Sequence, residues 1–102
     1  MYKEQSPRSR VSNPDFAERK LARDRVAPHL ANLKRWRSKT LHLRALHNSR
    51  HQSEEALSSA AVQLADLKLE IEAARQAFIH EMGDIRNTPA VVDYLAALDS
   101  LL

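Results

Sequence analysis

A chain of 102 residues, 43% of them apolar, can build one domain with only a thin core. A single glycine and five aromatic residues are poor material for a β-sandwich or barrel, and the absence of cysteine removes disulfides, thiolate metal sites and a thiol nucleophile. The net charge of +3 conceals an asymmetry: thirteen Lys and Arg stand against four Asp and Glu up to Gln52, and three against nine from Ser53 onward.

Such a split has two meanings. Either the basic half seeks a polyanion, or the two halves attract each other. No apolar run approaches the roughly eighteen residues of a membrane span, and "MYKEQSPRSR" has no apolar core behind it. No secretory leader or membrane anchor is therefore expected, and the chain reads as soluble and cytoplasmic.

Residues 1–12 are polar and aperiodic, which suggests a flexible basic arm; Ser6-Pro7-Arg8 within it is a weak phosphorylation motif. Residues 13–102 read as a single helical domain. Asn13 is a candidate N-cap, with Pro14 at the first helical position and Asp15 near the positive end of the dipole. The helical pattern from 14 to 26 meets Pro28, which lacks a backbone donor and should kink or break it near Val26–Ala27.

A second helix is expected over about 28–48. Its stretch "LKRWRSKTLHLRALHNSRH" (Leu33–His51) packs six basic residues and three histidines among leucines, with no acid between Asp24 and Glu54. Leu30, Leu33, Trp36 and Leu43 form the apolar face. Lys34, Arg35, Arg37, Lys39, His42, Arg44 and Arg50 are the candidate binding residues, for nucleic-acid phosphates or an acidic protein surface. Trp36 beside two arginines could stack on a base, but its spacing from Leu33 and Leu43 places it on the core side. His47 and His51, four apart, could share a metal on one helix face; with no carboxylate or cysteine nearby, no metal or cofactor is expected.

"HNSRHQS" reads as a turn, and Ser53 followed by Glu54 and Glu55 as a capped helix start. The helix over 54–82 carries the clearest pattern. Leu57, Leu64, Ile71, Phe78 and Ile85 recur every seven residues, and Ala60, Leu67 and Ala74 fall three later. The packing seam is Leu57, Leu64, Leu67, Ile71, Ala74 and Phe78. An antiparallel fold-back at His51 would set Leu43 near Ala60, Trp36 near Leu67, Leu33 near Ile71 and Leu30 near Ala74. Val26 would then lie near Phe78 and Leu21 near Met82. Arg37 would approach Asp66, Lys34 would approach Glu70, and Arg23 would approach Glu81.

Gly83 suits the residue after that helix, and Thr88-Pro89 the start of a short last one over 89–102. Its apolar residues Val91, Tyr94, Leu95, Leu98 and Leu102 are candidates for an interface, part of them folding onto the hairpin. The fold class expected is therefore all-α: an antiparallel helical hairpin, coiled-coil-like, with a short third C-terminal helix.

No Gly-rich phosphate loop, HExxH or Ser/His/Asp arrangement is present, so no catalysis and no small-molecule substrate are expected. The function expected is protein binding or self-association, as a small adaptor, inhibitor or assembly subunit of bacterial or phage type. The alternative is a nucleic-acid-binding protein or ribonucleoprotein subunit that uses residues 1–52.

Overall fold

The computed structural model describes residues 14–102; the basic arm over 1–12 and the Asn13 cap lie outside them. Four α-helices follow in chain order: α1 (Pro14–Val26), α2 (Leu30–His47), α3 (Glu54–Met82) and α4 (Pro89–Asp99). No strand occurs among the described residues. The expected all-α hairpin is present as the packed pair α2 and α3.

Local chemistry sets the helix limits. The α-helical run ends at Val26, where Pro28 is expected to interrupt it. Ala27–His29 tightens into one 3₁₀ turn, with its flanking residues still right-handed helical. Ser53 caps α3, its Oγ accepting from the Ala56 backbone N–H at 3.1 Å, with Glu54 and Glu55 in the first turn. Gly83 ends α3 at φ +52°, a conformation that disfavours a side chain. Thr88 holds the extended cap position of α4, but its hydroxyl does not cap. It is buried and donates to the Ile85 carbonyl at 2.7 Å, closing the 3₁₀ turn at Gly83–Ile85 instead.

The core runs along the hairpin and thickens at one end. Leu33, Trp36, Thr40 and Leu43 of α2 meet Ala60, Leu67, Ile71, Phe78 and Met82 of α3, all buried. Leu64 and Ala74 pack partly buried against them, and Leu57 is half-buried near the turn. At the Met82 end, α1 packs on α4 through Ala22 and Val26, and α4 adds Val91, Tyr94, Leu98 and the following Leu101.

Several side chains across the hairpin find partners other than those expected. The Trp36 indole N–H donates to Glu70 Oε2 at 2.6 Å, and the His29 ring stands edge-on to Phe78 at 5.0 Å, in contact with Tyr94. A buried indole needs an acceptor, and Leu67 offers none; Glu70 does. Glu70 accordingly approaches Arg35 rather than Lys34, and Glu81 pairs with His29 at 3.3 Å rather than with Arg23. Leu30 and Leu21 do not enter the core and are exposed. In their place, His29 fills the aromatic cluster and Ala22 lets α4 approach α1 closely.

Candidate interaction surfaces

Lys34, Arg35, Arg37, Lys39, His42, Arg44 and Arg50 are all exposed. The helix does not gather them on one face. Successive 100° steps put Arg37 and Arg44 on one flank of α2, and Arg35 and Lys39 on the other. Two of the seven serve the fold. Arg35 donates to Asn32 Oδ1 at 2.7 Å, stands 3.9 Å from the Glu70 carboxylate and covers the Trp36 ring with its guanidinium carbon 5.7 Å from the centroid. Arg44 lays its stem along the hairpin and donates to the Leu101 carbonyl at 3.1 Å. Lys34, Arg37 and Lys39 make no ion pair among the described residues. Trp36 is buried and cannot offer its ring to a base.

His47 closes α2 and His51 lies in the turn beyond it, so the spacing of four does not align them on a helix face. Among the described residues no three His, Asp or Glu side chains gather as a metal cage. None of the helices is long and apolar enough to cross a membrane, over the same residues. A shallow groove of about 360 Å³ runs between α3 and α4, lined mainly by Ile79, Val92, Leu95 and Ala96, with Asp99 at its edge tied to Arg75 at 2.7 Å.

Of the expected C-terminal interface, Val91, Tyr94 and Leu98 are buried inside the chain itself. Leu95 is half-buried, and Leu102 lies at the surface. The α1 helix supplies the reason: it packs on α4, and its Ala22 and Val26 join the same core as Val91, Tyr94 and Leu98.

A surface that the heptad reading passed over lies on α3. Directly opposite its core seam, Val62, Ala65, Leu69, Ala73 and Gln76 form a second stripe, and all five are exposed. Leu69 and Val62 are 65% and 60% accessible. The signal was in the sequence as apolar residues lying off the a/d positions, but a seven-residue repeat draws attention to one seam only. Leu41 of α2, 60% accessible, is a further bare apolar residue.

Compared with protein-family models, curated proteins and solved structures, the chain matches none.

Proposed function

We propose that this chain is a non-enzymatic, protein-binding helical module, a small soluble adaptor, inhibitor or assembly subunit of the cytoplasm that docks through helix faces. One observation carries the reading: α3 bears apolar residues on two opposed faces, and the described residues cover only one of them. A helix with that distribution is suited to lie between two layers, and a contiguous bare stripe marks an interaction surface. The experiment is capture by the immobilised full chain, with and without nuclease, comparing wild type with Leu69→Glu. The reading expects nuclease-resistant capture of a reproducible partner that Leu69→Glu abolishes. Capture that disappears with nuclease and ignores Leu69→Glu would overturn it.

A second reading, nucleic-acid binding, is favoured by the acid-free run between Asp24 and Glu54 and by Lys34, Arg37 and Lys39, which make no ion pair among the described residues. Under it, log K falls with log salt by about 0.7–0.9 per phosphate neutralised. Replacing Lys34, Arg37 and Lys39 together with Gln should flatten that slope by up to about three such steps. These three are better probes than Arg35 or Arg44, whose loss would also disturb Glu70 or the Leu101 carbonyl. No binding of RNA or DNA at low salt removes this second reading.

A further inference from the structure

We infer that the outer stripe of α3 pairs with the same stripe of a second copy, antiparallel, about a two-fold axis through Leu69. This rests on the docking reading above and names its occupant. The stripe is symmetric in sequence. Counting from Leu69, Ala65 and Ala73 lie four residues away on either side, and Val62 and Gln76 seven. At 100° per residue all five fall within about 40° of Leu69. Rotating a second copy about the central leucine therefore lays Leu69 on Leu69, Ala65 opposite Ala73, and Val62 opposite Gln76. A two-fold contact must be complementary to itself, and this one is. The alanines on either side of the axis let the backbones approach while the leucines fill the centre.

Shape and the charges of one flank point the same way. Lys68 is the only cation between His51 and Arg75. In the antiparallel pair it lies on the same flank as the second copy's Glu72, two residues from level with it, or about 3 Å along the axis, and that flank then carries two lysines and two glutamates. On the other flank Asp66 comes beside the second copy's Glu70, a like-charge approach tempered because Glu70 is bonded to the Trp36 indole and faced by Arg35. The molecule is thick at the Met82 end, where α1 and α4 pack, and thin at the Asn48–Ser53 turn. An antiparallel pair sets thick beside thin, whereas a parallel pair would crowd both thick ends together. Helix dipoles also favour the antiparallel arrangement. A contact of four helical turns belongs among interfaces below about 1,200 Å², so the association should be concentration-dependent.

The absence of cysteine gives a direct test. Leu69→Cys places a thiol on the axis, within disulfide reach of its own copy. Leu41→Cys is a control of similar exposure on α2. Under mild oxidation at micromolar concentration, Leu69→Cys should form a covalent dimer about tenfold faster than Leu41→Cys or more, because pairing raises the local thiol concentration. A mixture of Val62→Cys and Gln76→Cys should cross-link to each other in preference to themselves. Wild type should show mass rising with concentration in sedimentation equilibrium, and Leu69→Glu should stay monomeric.

Equal oxidation rates at positions 69 and 41, together with a wild type that is monomeric at high micromolar concentration, would overturn the pairing. So would Val62→Cys linking to itself, which marks a parallel arrangement. A monomeric wild type whose partner capture is nonetheless lost in Leu69→Glu would overturn self-pairing alone and leave the docking reading in place.

Discussion

Thr40 is only 2% accessible, and its hydroxyl has no hydrogen-bond partner among the described residues. A buried, unpaired hydroxyl carries a desolvation penalty that a methyl group of similar shape does not. Thr40→Val should therefore raise stability by about 1 kcal/mol, read as a higher denaturant midpoint with an unchanged slope. Tyr94 makes the opposite case, a buried polar group with a partner: its hydroxyl donates to the His29 carbonyl at 3.3 Å. Burial holds its pKa above the ordinary 10.0. The sign follows from proton counting. Below pH 10.0 both folded and unfolded chains keep the phenolic proton, and nothing changes. Above it the unfolded chain loses that proton first, so stability falls as pH rises. The wild type should lose more stability on entering this alkaline range than Tyr94→Phe does, which urea titrations on the two sides of it would measure. Equal losses in the two proteins would remove Tyr94 as the cause.

At the scale of the element, α3 holds the molecule together. Changing Leu64 and Ile71 to Asp together puts two unpaired charges into the seam, which is costly by several kcal/mol, and should abolish cooperative melting by circular dichroism. An unchanged, cooperative transition would show that the seam does not support the fold. The seam was readable because Leu57, Leu64, Ile71 and Phe78 repeat at an interval that only a helix turns into a line. The ends of α3 were readable too, since Ser53 and Gly83 act through local backbone chemistry. The partners of single side chains were not: Trp36 finds Glu70 and His29 finds Phe78, choices made between residues distant in sequence. Leu30 and Leu21 misled for the same reason: α1 and α2 carry more leucines than the core has places. The cations of α2 were legible as residue types, but nothing in their spacing showed that Arg35 and Arg44 would be drawn into the fold. The outer stripe of α3 was visible as letters and hidden by the stronger pattern behind it.

For the whole molecule, the hairpin is self-supporting in pattern while α1 depends on α4. Few contacts join α1 to the hairpin other than through the 3₁₀ turn, and its buried residues face the last helix. Deleting Thr88–Leu102 should therefore melt α1 as well as remove α4. The helical signal would fall by more than the deleted residues account for, and Ala22, Val26, Phe78 and Ile85 would be bared, at a cost in solubility. A truncated chain that keeps α1 helical would show that α1 has support of its own.

The pairing of α1 with α4 also orders events in time. Helices α2 and α3 are joined by a short turn and can meet quickly, since closing a short loop is entropically cheap. The contact of Val26 with the α4 layer joins segments more than sixty residues apart, so it must wait until α4 is available. Substitutions in Leu33 or Leu67 should then slow folding, while those in Ala22 or Val91 should chiefly hasten unfolding. A nascent chain would carry α1 unsupported while α2 and α3 are made, open to chaperones and proteases until its partner helix arrives.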